Sequence, residues 1–202
     1  MRPCDWGGSE SYVDYEKIYL SRYKLLRKAY EKADLKTDPD YAEFLKEEKD
    51  WLQDYCLFMA IKNDQKGICW IDWPEELKDR HSKAVKEAEK ELAEEIEFYR
   101  FQQYCFTTQW RKLKAYANKK DISIIGDVPI YVALDSSDAW ANPEMLQFDE
   151  DYNPKAVAGC LQNAFSATGQ LWGNPLYDWK ALKKDGYGWW VQRMTHCWNF
   201  MM

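Results

Sequence analysis

The sequence has little of what builds metal centres or disulfide frameworks. Its 202 residues include only two histidines, and the six cysteines are widely spaced, with no Cys-x-x-Cys pair. Zinc sites and disulfide frameworks both draw on closely spaced cysteines and histidines. We therefore expect no metal, no cofactor, and cysteines that are reduced and mostly buried.

Long apolar runs and a surplus of positive charge are also absent. No apolar run in the sequence approaches the roughly 18 residues of a membrane-spanning helix, and the first residues carry no apolar signal core. The formal net charge is −6, whereas nucleic acids and anionic membranes attract basic surfaces. We expect a cytoplasmic protein with a neutral or polar ligand, and neither nucleic acid nor a membrane as its partner.

Aromatic side chains are the abundant class. The chain holds 11 Trp, 14 Tyr and 8 Phe, which is more than a minimal core needs, so some of them are expected to bind a ligand. The length suits one medium-sized domain.

Charge and glycine divide the chain near residue 120. Residues 1–120 hold 23 Lys and Arg, 24 Asp and Glu and three Gly. Residues 121–202 hold 5 Lys and Arg, 10 Asp and Glu and six Gly. Apolar residues at helical period predict helices over 13–33, 39–62 and 82–118, the last as either one helix or a kinked pair. The aromatic stripe that includes Tyr15 and Tyr19 is predicted to face the core.

The second part begins with a near-continuous apolar run. Residues 122–132 predict a strand buried on both faces, with Asp127 within it. A long aromatic loop follows over 133–179, and then a helix over 180–197. This order of elements is typical of a β/α barrel unit: a helix, a buried strand with a carboxylate, a long loop and a helix. In such barrels the loops after the strands build the active site. We therefore predict an α/β fold.

Two long strings resemble the 4-alpha-glucanotransferase family (amylomaltase or disproportionating enzyme) of the alpha-amylase clan. One is DVPIYV at 127–132 with DSSDAWANPE at 135–144, and the other is FSATGQLWGNPLYDW at 165–179. Weaker similarity extends from about Ser11 to Cys197. The resemblance implies a partial TIM (β/α)8 barrel, with a helical insertion subdomain over 1–105 and a barrel segment over 106–202.

The activity implied by the resemblance is transfer of alpha-1,4-glucan segments between maltooligosaccharides through a covalent, retaining mechanism. The family's Arg-Ile-Asp-His string, which carries the nucleophile, does not occur in this sequence. We therefore expect the catalytic nucleophile and acid/base to lie beyond the C-terminus, and this internal piece to be inactive alone. Residues 198–202 depart from the resemblance and are expected to be a frameshifted tail.

The resemblance also implies five substrate-binding residues: Asp127, Phe165, Gln170, Trp172 and Asn174. Four of them have a structural alternative: Asp127 bonding a neighbouring loop, Trp172 forming the loop's own small core, and the two amides bonding loop backbone. The lid sequence departs from the family at Leu161-Gln162-Asn163, where two prolines and an aspartate are usual. Loss of the prolines loosens a lid that they would have held rigid.

Two other functions stay open. One is a non-catalytic alpha-glucan-binding module that keeps the aromatic loop residues without turnover. The other is a helical interaction protein, which the loop strings disfavour because no helical scaffold needs them.

Overall fold

The computed structural model describes residues 8–201, and Cys4 lies outside this range. Within it the chain forms nine α-helices, two short 3-10 helices at Trp70–Asp72 and Pro143–Met145, and one two-stranded antiparallel sheet. The helices are α1 (Tyr15–Tyr30), α2 (Pro39–Glu47), α3 (Lys49–Asp64), α4 (Glu75–Lys78), α5 (Ser82–Glu91), α6 (Ala93–Asn118), α7 (Ser137–Ala141), α8 (Trp179–Lys184) and α9 (Gly188–Met201). The strands are β1 (Val157–Cys160) and β2 (Gln170–Pro175).

The predicted helix over 39–62 is two helices. It begins as expected, with Pro39 in the first turn and the Asp38 carboxylate accepting from the backbone N–H groups of Asp40 and Tyr41. The helix breaks at Glu48, whose backbone leaves helical geometry at φ −98° and ψ 11°. A similar break at Leu92 separates α5 from α6, so the kinked alternative for 82–118 is confirmed.

The core is built around α3. The buried side chains of this helix are Leu52, Cys56, Leu57, Phe58, Ala60 and Ile61, and they pack with residues of α6 and α7. Trp140 of α7 is fully buried between Phe58 and Trp73, with ring centroids 5.9 and 5.6 Å away. The Trp140 indole nitrogen donates to the Leu77 carbonyl at 3.0 Å. One aromatic cluster therefore joins α3, α7 and the α4 region.

The aromatic stripe of α1 is only partly in the core. Tyr15 is 78% exposed and Tyr19 57%, so the prediction that they face the core is wrong. Further along α1, Tyr30 packs on Phe98 with centroids 5.6 Å apart, and Arg27 lies 3.6 Å above the same ring. The stripe is helical as predicted, but only its C-terminal half meets α6.

The predicted strand over 122–132 does not form. These residues are irregular, because the described residues offer no neighbouring strand to complete a hydrogen-bonded ladder. Three side chains bond its carbonyls instead: Arg193 donates to Pro129, Tyr177 to Ile130 and Asn174 to Val132. The fold is mixed helix and sheet, and the described part of the chain contains no closed barrel.

The rest of the second part is more ordered than predicted. The expected loop over 133–179 contains α7 and the β1–β2 hairpin, and the expected helix over 180–197 is α8 and α9. Gly186, at φ 72°, lies in the turn between these two helices. The predicted boundary between 105 and 106 falls inside α6, and one buried cluster includes residues from both sides of it. The division into 1–105 and 106–202 stays a prediction.

The described cysteines carry free thiols but are less buried than expected. Cys56 is fully buried, and burial raises its pKa to about 12. The other four, Cys69, Cys105, Cys160 and Cys197, are partly exposed. The expectation of mostly buried thiols therefore holds for Cys56 alone.

Over residues 8–201, no helix combines the length and apolar character needed to cross a membrane.

We expect Trp140→Ala to lower the free energy of unfolding by about 3–5 kcal/mol, because it empties a buried indole site and unpairs the Leu77 carbonyl. Urea unfolding followed by circular dichroism measures the loss. The control is Trp198→Ala, whose indole is 65% exposed and whose removal should change the value by less than about 0.5 kcal/mol. Equal losses in the two variants would contradict the proposed core.

Candidate functional site

The β1–β2 hairpin presents the second string of the sequence. The strands pair antiparallel with Gly159 opposite Leu171 and Cys160 opposite Gln170, and an irregularity lies between Val157 and Gly159. A Cβ atom at Gly159 would lie 2.5 Å from the Gln170 carbonyl oxygen. Only glycine allows the strands to approach this closely.

Three of the five predicted site residues, Gln170, Trp172 and Asn174, lie on β2. Gly173, between the last two, has a positive φ of 79°, so the strand is not regular there and contacts rather than alternation define the site. The Trp172 indole nitrogen donates to Gln170 Oε1 at 2.8 Å, and its ring centroid lies 6.2 Å from that of Tyr131. We call Gln170, Trp172, Asn174 and Tyr131 the β2 face.

Trp172 is the member of the β2 face that offers a surface for a ligand. Its side chain is 51% exposed although its ring contacts Tyr131. The Asn174 amide nitrogen donates to the Val132 carbonyl at 2.9 Å, which is the backbone-bonding alternative. The Gln170 amide oxygen accepts from Trp172 and so orients that indole.

The other two predicted residues are exposed, and their side chains make no hydrogen bond or ring contact with this face. Asp127 is exposed, and within the described residues its carboxylate makes no hydrogen bond or ion pair. Phe165 is 97% exposed in the turn between the strands. Asn163 Oδ1 accepts from the backbone N–H groups of Phe165 and Ser166 at 2.9 and 3.0 Å, so the residue that departs from the family pattern closes this turn.

No group of three or more His, Cys, Asp or Glu side chains is arranged to hold a metal ion within residues 8–201. The ligand-binding capacity of the β2 face and its surroundings therefore rests on aromatic rings, amides and the exposed Asp127 carboxylate.

Comparison with known proteins identifies the family. Residues 5–201 match the family described as 4-alpha-glucanotransferase. The chain belongs to the 4-alpha-glucanotransferase family. It is 45% identical over 191 residues to the 4-alpha-glucanotransferase of Clostridium butyricum, covering 94% of this chain and 39% of that protein. It is 43% identical over 198 residues to the enzyme of Thermus thermophilus, covering 96% and 40%.

A solved structure agrees with these relatives. Amylomaltase from Streptococcus agalactiae, in complex with acarbose, superposes with a TM-score of 0.90 at 36% identity, over 97% of this chain and 40% of that one. The chain thus spans about two fifths of the length of the 4-alpha-glucanotransferases it matches.

Sequence reasoning missed the residues that hold the β2 face in place. The Tyr177 ring stacks on Tyr131 with centroids 6.1 Å apart, and its hydroxyl donates to the Ile130 carbonyl at 2.9 Å. Arg193 Nη2 donates to the Pro129 carbonyl at 2.6 Å. Tyr131 and Tyr177 both stand in the two family strings, but periodicity cannot pair positions 46 residues apart. Burial raises the pKa of Tyr177 to about 12, and the neighbouring Arg193 opposes the rise.

Tyr177→Phe tests this arrangement because it removes the hydroxyl and keeps the ring. We expect the free energy of unfolding at pH 7 to fall by about 1 kcal/mol, since the Ile130 carbonyl loses its donor. The pKa of an unfolded tyrosine is near 10, whereas that of folded Tyr177 is about 12. Between these pH values the unfolded state loses the phenol proton and the folded state keeps it, so the free energy of unfolding of the wild type falls as pH rises. In Tyr177→Phe this fall should be smaller.

The measurement for this variant is urea unfolding at pH 7 and at several values from 10 to 12. Tyr116→Phe removes a 64% exposed phenol and should change the free energy at pH 7 by less than about 0.5 kcal/mol. An unchanged pH slope in Tyr177→Phe would show that the hydroxyl is not held as described.

Proposed function

We propose that this chain is a sugar-holding part of a 4-alpha-glucanotransferase that transfers alpha-1,4-glucan segments between maltooligosaccharides. The observation that carries the proposal is the half-exposed Trp172 ring on the β2 face, held by Gln170 and Tyr131. An indole offers a flat apolar surface on which the apolar face of a glucose ring stacks. The acarbose complex of the related amylomaltase supports an alpha-glucan as the ligand.

The exposed residues around the β2 face have matching roles in this proposal. The Asp127 carboxylate accepts hydrogen bonds from sugar hydroxyls, which suits a group with no partner among the described residues. Phe165 supplies a second apolar surface at the end of a turn that can close over the glucan. Gln170 and Asn174 position Trp172 and the 129–132 segment.

We propose that the complete enzyme is retaining. One carboxylate then attacks the anomeric carbon while a second carboxyl protonates the leaving glycosidic oxygen. The second group, now a carboxylate, deprotonates the incoming 4-hydroxyl, whose oxygen displaces the first carboxylate from the anomeric carbon. The string that carries the nucleophile is absent from this sequence, so the contribution of this chain is to bind and orient the glucan. We also propose that this chain forms part of a (β/α)8 barrel in the whole enzyme, and that the enzyme works in the cytoplasm.

A second candidate is an alpha-glucan-binding module without turnover. The observation that favours it is that the exposed aromatic rings and Asp127 are present while the nucleophile string is not. The two candidates predict the same binding by this chain and differ in whether the bound glucan is transferred within a complete enzyme.

Trp172→Ala should weaken binding of maltoheptaose by about tenfold or more, because the stacking surface is lost. Isothermal titration calorimetry on the full chain measures the dissociation constant. Trp198→Ala removes a similarly exposed indole on α9 and should leave binding unchanged. Equal weakening in both variants would speak against the β2 face as the binding site.

The purified chain should release no glucose from maltotriose beyond a mock preparation, because transfer between two maltotriose molecules needs the carboxylate nucleophile. A coupled glucose assay measures this. Glucose release that disappears in Asp127→Asn would refute the assignment of a binding role alone to this chain.

A further inference from the structure

The turn between β1 and β2 is closed by its own residues. It spans residues 161–169 and contains no proline. The Asn163 backbone N–H donates to the Ser166 carbonyl at 3.0 Å, and the Ser166 hydroxyl donates to the Gly169 carbonyl at 2.7 Å. Over the described part of the chain, all hydrogen bonds of this turn stay within the β1–β2 hairpin. Internal bonds, and neither proline nor burial, therefore hold the turn in shape.

Asn163 provides the restraint that reaches Phe165. Its Oδ1 accepts from the backbone N–H groups of Phe165 and Ser166 at 2.9 and 3.0 Å. Its amide nitrogen donates to Cys160 Sγ at 3.6 Å, so the same side chain also contacts the end of β1. Asparagine stabilises turns in this way because its side-chain oxygen takes the place of a backbone acceptor. Within the described chain, the Phe165 N–H has no other acceptor.

The Phe165 ring has no support from the core. It is 97% exposed and lies outside the hydrophobic cluster of the described chain. The direction of the ring therefore depends on the backbone of the turn, which Asn163 holds. An exposed side chain on a loose loop has to be ordered when a ligand binds, and this ordering weakens binding. A turn that is already folded avoids that loss.

We propose that Asn163 is a positioning residue for glucan binding: it keeps the 161–169 turn folded before the ligand binds, and so presents the Phe165 ring as a preformed apolar surface. This inference rests on the proposed function, in which Phe165 contacts the glucan. Closure over the glucan then moves a folded turn, and no loose segment is ordered on binding. The acceptor oxygen is what matters, since aspartate would supply one and alanine would not.

The first test is hydrogen exchange of the Phe165 backbone amide in the full chain, followed by NMR. Asn163→Ala should speed this exchange about tenfold, because the amide loses its acceptor. The Ser166 amide should respond less, since the Asn163 backbone carbonyl still lies 3.3 Å away. Asn163→Asp keeps an acceptor oxygen and should stay close to wild type at pH 7. The control is Leu161→Ala, which removes an 89% exposed side chain of the same turn and should leave the exchange unchanged.

The second test is the dissociation constant for maltoheptaose, measured by isothermal titration calorimetry. Asn163→Ala and Phe165→Ala should each weaken binding about fivefold, whereas Asn163→Asp and Leu161→Ala should bind like the wild type. Because Asn163 acts through the Phe165 ring, adding Asn163→Ala to Phe165→Ala should weaken binding no further. A residue that only stabilises the fold would weaken binding equally in both backgrounds.

The outcomes separate this inference from the proposed function. Unchanged Phe165 amide exchange in Asn163→Ala would overturn the inference and leave the proposed function standing. Equal weakening of binding by Asn163→Ala with and without the Phe165 ring would overturn it as well. Binding that is unaffected by Phe165→Ala would remove the proposed glucan contact itself, and the positioning role of Asn163 would fall with it.

Discussion

Three long-range hydrogen bonds hold the segment that carries Asp127, and the candidate site depends on them. Asn174, Tyr177 and Arg193 donate to carbonyls that precede them by 42, 47 and 64 residues. A strand would satisfy these acceptors through a neighbouring strand, but here side chains do so. The same three residues belong to β2, the residues after it and α9, so the hairpin and the last helix are positioned against residues 129–132 together.

The break at Glu48 has a similar organising effect on the helical part. Its carboxylate is buried, accepts from Trp51, and lies 3.4 Å from His196 of α9 and 3.5 Å from Arg111 of α6. A buried carboxylate with several partners is costly to leave unpaired. The Glu48 carboxylate therefore contacts polar groups from α3, α6 and α9, and it joins these three helices.

Local patterns predicted much of the helical part and little of the second part. Asp38 and Pro39 mark the start of α2 because capping depends on neighbouring residues only. Residues 122–132 look like a buried strand by composition, but a strand needs a partner that the described chain does not supply. Tyr15 and Tyr19 keep helical spacing yet lie in solvent, because periodicity gives the face of a helix and not what covers it.

Two long strings in the sequence are enough to identify the family, and with it Trp172, Phe165 and Asp127 as candidate site residues. The packing of the folded chain places the Trp172 ring beside Tyr131 and the Arg193 guanidinium at the Pro129 carbonyl. Local sequence patterns miss these contacts because the partners are far apart along the chain. Contacts between residues more than forty positions apart follow from how helices and the hairpin pack, which no local pattern of side chains specifies.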